Sequence, residues 1–595
     1  MREGPREPRA FGLEQVEDVG ASVSFDVAGA PRSGSIARFA LQVPRPFVAT
    51  MTDEGRTARP VPHRPPETAV IRSRSVDRSS RSSMSAIAGF VIAMVATALV
   101  ASVPGSPLQP VLPQGVEPGG PFRWLADAVG LDSMHGTALV VASVAAVVAS
   151  AIAFVVVLRE AWGGNISLRT TVILAVGAHV IVAMLPLLIS RDVYSYIAYG
   201  TIAGIHHANP YIQTPIDFPS DAVVSLVGPK WLSTPAVYGP LFTGFASVVV
   251  RLADSVAAQV QVFRMTALAA SLGTLALIAT TARRVRPSRA AFAVAAFGMN
   301  PVVLFQSVGS GHNDLLVALA VAGAFALVLA RREMLAVAAL TLGTLVKVTA
   351  GLPLFLLVVW CVARAPAGRR IRTLITHAGL AAAIAAVFAA PFFNLHDPTL
   401  GILELAGHEG WLAPSRFFRR LLDAISGDTL GVVARMAFAL LLLAAVVVLV
   451  RAVWRSARRT DDERTAVEEL GAAWGWSLVL LMLLGPILLP WYVVWALPLV
   501  WLLPRVPRLV LLGTSVALGV SQWTAEPVRF PGAYDTNVLI GHYVITPIVI
   551  ALLGWLLLDG WRRWRGGIAL QDEQGIPASA GKQRDDGRAD ASRER

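Results

Sequence analysis

The sequence predicts an all-α polytopic membrane protein with about 12–14 transmembrane or re-entrant helices, each apolar run being near the roughly 20 residues that span a bilayer core. Three observations carry this. Of the 595 residues, 55% are hydrophobic and 15% charged, whereas soluble proteins are about a quarter charged. The charge is missing from long uncharged runs such as Ser85–Val103 and Gly136–Leu158. Arginines gather in the short stretches between those runs, where basic residues orient a membrane protein. This pattern excludes a Rossmann domain, a soluble hydrolase and a secreted disulfide scaffold. Cys361 is the single cysteine, so no internal disulfide can form. The formal charge of +12 is scattered over loops and tails rather than clustered on one face, which argues against a nucleic-acid partner.

In chain order, residues 1–84 are rich in Arg, Pro and Ser without apolar periodicity, and read as a disordered, basic, cytoplasmic leader. Helical spans are predicted at 85–103, 136–158, 170–189, 258–281, 290–308, 315–330, 372–391, 429–451, 471–489, 491–503, 508–523 and 541–560. The segment 239–253 is short for a crossing and reads as a re-entrant or interfacial half-helix; 334–363 reads as a membrane hairpin. With both assignments the arginine groups at 283–289, 331–332, 364–372, 455–459 and 562–565 all fall on the cytoplasmic side. The segments 104–135, 190–238, 309–314, 392–428 and 524–540 then lie outside, and chemistry is expected there. Residues 562–595 read as a disordered cytoplasmic tail. No internal repeat and no GxxxG seam is used to organise the helices.

The stretch beginning SRDVYSYIAYG at Ser190 places Arg191 and Asp192 where a span ends. Asp192, Tyr196 and Tyr199 fall at i, i+4 and i+7, on one helical face. The plainer reading is an acid favouring a helix N-terminus above tyrosines that lie at the headgroup level. Asn209 opens the NPY triplet of a proline-studded loop, and Tyr238 ends that loop at Tyr-Gly-Pro, where proline suits a first helical turn. In GSGHND, Asp314 suffices as a helix cap, but His312 and Asn313 exceed what a cap needs and suit hydrogen bonds to hydroxyls.

Lysine occurs only at Lys230, Lys347 and Lys582. Lys347 sits inside the hairpin, where an ionisable group is a functional candidate by default and snorkelling is the alternative. It could hold a lipid phosphate, with Arg264, Arg416, Arg419 and Arg420 as competitors; His179 in mid-span reads as a satisfied core residue. Trp491 and Tyr492 in LLPWYVVWALP fit an aromatic belt or a surface against which sugars stack. There is no GxxxxGK[ST], GxSxG, HExxH or zinc-type Cys/His set. Two carboxylates and one histidine do not specify a metal: no cofactor is assigned, and a divalent cation held by Asp192 and Asp314 stays open.

Taken together, DVYSY (Asp192–Tyr196), NPY (Asn209–Tyr211), TPAVYGPLF (Thr234–Phe242), GHND (Gly311–Asp314), LVK (Leu345–Lys347) and PWYVVWALPL (Pro490–Leu499) resemble the GT-C superfamily of polytopic glycosyltransferases. More narrowly, residues 165–505 are similar to the actinobacterial polyprenol-phosphate-mannose-dependent α-1,6-mannosyltransferases. The resemblance implies a transmembrane glycosyltransferase domain over 85–561, in the multi-pass setting of the plasma membrane, with extracytoplasmic loops forming the active site. It implies inverting transfer from a polyprenyl-phosphate-sugar donor to a glycolipid or mannan acceptor, with Asp192 as the base. Arg191, Tyr194, Tyr196, Asn209, Tyr238, His312, Asn313, Asp314, Lys347, Trp491 and Tyr492 are the expected substrate-binding residues. The chain departs from the family in having no second acid adjacent to Asp192. A GT-C enzyme using arabinose or glucose, and a flippase for lipid-linked sugars, are the competing readings. No oligomeric state is predicted.

Overall fold

The computed structural model describes residues 68–566 except 114, 117–118, 396–397, 399, 402–407, 411, 427–428 and 525–527. The expected leader and tail therefore lie outside the described residues at 1–67 and 567–595. Their inner ends are helical. Helix α1 runs Thr68–Ser102, and it starts 17 residues before the predicted span because no Pro or Gly interrupts 68–88. At the other end the last helix carries the basic Arg562–Arg565 stretch before stopping at Gly566.

All elements among the described residues are helical. After α1 come α2 (Gly136–Trp162), α3 (Leu168–Ala183), α4 (Asp192–Gly204), α5 (Pro240–Leu252), α6 (Val256–Val285) and α7 (Ala290–Gly298). Then follow α8 (Asp314–Leu329), α9 (Glu333–Val346), α10 (Gly351–Arg364), α11 (Arg370–Ala389), α12 (Pro414–Ser426), α13 (Thr429–Arg459) and α14 (Glu463–Leu484). The chain closes with α15 (Arg505–Gly519), α16 (Pro531–Ile540) and α17 (Thr546–Gly566). Among the described residues, eight helices are long and apolar enough to cross a membrane.

Burial separates them into inner and outer helices. The segment Pro287–Val308 is buried throughout its apolar window, whereas Ala367–Phe392 buries none of its own. Ile371, Ile375, Val387, Met436, Leu440 and Leu443 stand exposed along α11 and α13. Water would not tolerate so continuous an apolar surface, and lipid does. The chain is an all-α polytopic membrane protein.

Three predicted elements take a different form, and each difference shapes the site. The 170–189 span stops at Ala183, since Pro186 breaks the pattern. The predicted hairpin is two helices of 14 residues, α9 and α10, interrupted where Lys347 adopts extended backbone. The 491–503 span is replaced by two short 3-10 turns, Pro490–Trp495 and Leu497–Leu499, because Pro490 and Pro498 remove backbone donors.

Helices α4 and α5 pack against each other through a GxxxG pair that the sequence reading passed over. A methyl group added at Gly200 would lie 2.6 Å from the Ala246 carbonyl, and one at Gly204 would lie 2.6 Å from that of Ser247. Small residues four apart allow such backbone approach in membrane proteins. This contact fixes the tyrosine face of α4 against Tyr238 at the mouth of α5, with Tyr196 and Tyr199 ring centroids 4.8 Å and 6.2 Å from that of Tyr238.

Candidate active site

Asp192 begins α4, its backbone N–H bonded to Ser190 Oγ at 3.1 Å. Its carboxylate faces His312, with Oδ2 3.6 Å from Nδ1. The Tyr196 hydroxyl lies one turn on, 3.3 Å from the same nitrogen, as the shared-face reading requires. The GSGHND segment, expected as an external loop, is instead buried between α7 and α8. His312 and Asp314 are wholly enclosed, whereas Asp192 keeps 17% of its side chain exposed. Among these three groups, only Asp192 can be touched from outside without rearrangement.

The second half of the site is a buried ion pair. Lys347 Nζ donates to Asp314 Oδ1 at 2.8 Å, and Trp495 Nε1 donates to the same oxygen at 2.7 Å. The ammonium also lies 4.6 Å above the Tyr492 ring and 5.4 Å from that of Trp495, within cation–π range. Lys347 is therefore neither snorkelling nor free for a lipid phosphate alone: Asp314 holds it in place. Trp491 stacks on the His312 ring with centroids 3.9 Å apart, which joins the two halves.

Backbone geometry explains how Lys347 comes to be there. Helix α9 ends at Val346, and the orphan Val346 carbonyl accepts the Gly239 N–H at 3.0 Å. Away from water, the carbonyls of a broken helix need such partners. A methyl group at Gly239 would collide with the Leu345 carbonyl oxygen. Gly239→Ala is expected to cost about 1–3 kcal/mol through overpacking, read as a lowered unfolding temperature in detergent. Unchanged stability would contradict the close approach.

Burial pushes the Asp192 carboxyl up to about 6, against the opposing pull of the Lys347 charge. Burial and the Lys347 charge hold His312 well below the ordinary histidine range, so the ring is neutral at pH 7. Asp192 is thus poised as a base beside an uncharged imidazole. His312 Nε2, both side-chain polar atoms of Asn313 and Asp314 Oδ2 find no partner among the described residues. Buried polar groups left unpaired cost about 1–3 kcal/mol each, and their convergence beside a carboxylate suits a hydroxyl-rich ligand.

The structure gathers Asp192, Tyr196, Tyr238, His312, Asn313, Asp314, Lys347, Trp491 and Tyr492 into one region. It places Tyr194 and Asn209 elsewhere. The Tyr194 hydroxyl donates to the Val111 carbonyl at 2.7 Å, and the Asn209 amide donates to the Phe392 carbonyl at 2.8 Å, so both brace loops. Arg191 precedes α4 beside Asp192 and is half-buried. Among the competing cations, Arg419 pairs with Glu409 and Asp423. Trp495 was missed. The signal was its place three residues after Tyr492, since i and i+3 eclipse in a 3-10 turn and their rings stack at 4.1 Å. No group of three or more His, Cys, Asp or Glu among the described residues is arranged to hold a metal, and the Asp314 oxygen facing Lys347 is already engaged.

Fold and site together define a polytopic membrane enzyme organised around a partly open carboxylate and a buried ammonium. Residues 85–364 match the family described as Alpha-(1->6)-mannopyranosyltransferase, N-terminal domain. The chain is also similar to Alpha-(1->6)-mannopyranosyltransferase A of Mycobacterium tuberculosis (strain ATCC 25618 / H37Rv), 27% identical over 403 residues, which covers 64% of this chain and 74% of that protein. Over residues 85–364, a little under half of its length, the chain is similar to that family, and it is a glycosyltransferase acting on a sugar donor and an acceptor.

Proposed function

We propose that the enzyme transfers mannose, with inversion, from a polyprenyl-phosphate-mannose donor to a mannan or lipoglycan acceptor. We place the reaction on the extracytoplasmic face of the plasma membrane and assign it an α-1,6 linkage. The observation that carries this reading is the juxtaposition of Asp192, open to solvent, with the enclosed Lys347–Asp314 pair. The names of the matched family and relative support the linkage, and a lipid-borne donor suits a site among membrane helices.

Chemically, the acceptor hydroxyl oxygen attacks the anomeric carbon while Asp192 takes its proton. The bond between that carbon and the phosphate oxygen breaks, and the polyprenyl phosphate leaves with the electron pair. Lys347, aligned by Asp314 and Trp495, offsets the charge that grows on the phosphate. His312, Asn313, Tyr238 and the Trp491 ring line the sugar positions. No step is routed through a metal: among the described residues no three His, Cys, Asp or Glu side chains converge to hold one.

The direct test supplies purified protein with labelled polyprenyl-phosphate mannose, arabinose or glucose, with and without chelator. Mannose alone should be transferred, chelator should leave the rate unchanged, and the product should carry a 1,6 linkage. Efficient transfer of arabinose or glucose in place of mannose would overturn the donor assignment.

Asp192 must be ionised to act, and its proton leaves near pH 6. The expected kcat/KM is flat at neutral pH and falls about tenfold per pH unit on the acid side of that value. A profile that rises toward acid would contradict Asp192 as the base.

A further inference from the structure

Arg264 lies on α6 and is only 2% exposed. Its Nη1 donates to Gln261 Oε1 at 3.3 Å and its Nη2 to the Val182 carbonyl at 3.2 Å. Nε finds no partner among the described residues. Both acceptors are neutral, so the second bond caps the C-terminal end of α3 while the guanidinium charge meets no carboxylate among the described residues. Buried charges are ordinarily paired, and an ionisable group within a membrane helix marks a binding site by default.

The guanidinium lines a cavity of about 300 Å³, walled also by Leu112, Leu187, Tyr194 and Val260. Next to it is a second cavity of about 610 Å³, and Pro113, Val116 and Ala257 line both. The second carries Thr201, Ser225, Ser255, Gln259, Asp221 and Asp254, groups that hydrogen-bond hydroxyls. Tyr194, Ile197 and Thr201 of α4, with Ile205 just past its end, face these two cavities. Their spacing puts them on one side of the helix, while Asp192, Tyr196 and Tyr199 lie on the other. The cavities and the candidate active site are therefore separated by α4.

We infer that these adjoining cavities bind a phosphate ester whose organic part carries hydroxyl groups, the phosphate against Arg264 and the hydroxyls in the larger cavity. Charge sets the orientation. Asp254 repels an anion from the large cavity, where Asp221 is engaged with His206 at 2.9 Å, while Arg264 is the cation of the small one, without a carboxylate partner among the described residues. The inference does not depend on the role of Asp192. The side-chain stem of Arg264 lies behind the Gly311–His312 segment, where a methyl on Gly311 would be 3.2 Å from Arg264 Cγ. Transfer activity would therefore confuse the two sites, and binding is the readout.

The experiment uses the full chain in phosphatidylcholine nanodiscs with radiolabelled glycerol 3-phosphate as probe. Saturable binding of one molecule per protein is expected. Arg264→Gln should weaken it at least tenfold and Arg264→Lys should retain most of it. Ala257→Phe, which fills the shared wall and leaves the guanidinium untouched, should abolish it. Phosphatidylglycerol mixed into the nanodisc and competing for the site would identify a lipid headgroup as the natural source; binding without such competition would identify a soluble ester. If Arg264→Gln does not fold, Ala257→Phe decides. Absence of binding of either probe to the wild-type chain, or wild-type binding by Ala257→Phe, overturns the inference.

Discussion

Asp192→Asn is expected to lower kcat for mannose transfer by about 10²–10⁴-fold, the usual contribution of a positioned general base, while donor affinity changes little. The amide matches the carboxylate in size and keeps the space facing His312 filled, so the loss isolates proton acceptance. The measurement is single-turnover transfer from labelled polyprenyl-phosphate mannose alongside equilibrium donor binding. Loss of donor binding together with rate would mean that Asp192 holds substrate and does not act as the base.

The second large effect is at Lys347. Lys347→Met leaves the Asp314 carboxylate enclosed without its cation, and breaking a buried pair on one side costs about 3–5 kcal/mol. A strongly lowered unfolding temperature is expected. Adding Asp314→Asn removes the stranded charge and keeps an acceptor for Trp495, so most of the stability should return. Transfer should not return: it should remain about 10²–10³-fold down, as when one stabilising donor is removed from a developing anion. A double variant that recovers both stability and transfer would make the pair purely structural.

The membrane fold was legible because lipid imposes a length and composition on every crossing helix, and runs such as Gly136–Trp162 meet it. Less legible were the places where helices break inside the bundle. Apolar periodicity does not separate a helix from a 3-10 turn, so Pro490–Leu499 read as a span although its two prolines carried the signal. The Gly200–Gly204 seam was likewise present as a motif, but short GxxxG pairs acquire meaning only from the partner helix, here α5. Asp192, Tyr196, His312 and Lys347 stood out as polar groups in apolar surroundings. Their pairing did not. That Lys347 holds Asp314, 33 positions away, and that Trp495 shares the same oxygen, follows from three-dimensional packing which spacing along the chain does not encode. Tyr194 and Asn209 look the same in sequence as the tyrosines and amides of the site, yet their polar atoms satisfy loop carbonyls.

The central claim, that Asp192 removes a proton from the incoming hydroxyl, is tested most directly by a nucleophile that carries no proton. Azide is already an anion: its nitrogen bonds to the anomeric carbon as the phosphate leaves, with no base required. Turnover of labelled polyprenyl-phosphate mannose should be compared in wild-type protein and Asp192→Asn, with an alcohol acceptor and with azide. Asp192→Asn is expected to form mannosyl azide within about tenfold of the wild-type rate while losing alcohol transfer by the 10²–10⁴-fold that a general base supplies. Equal loss with both nucleophiles, or loss with neither, would contradict it.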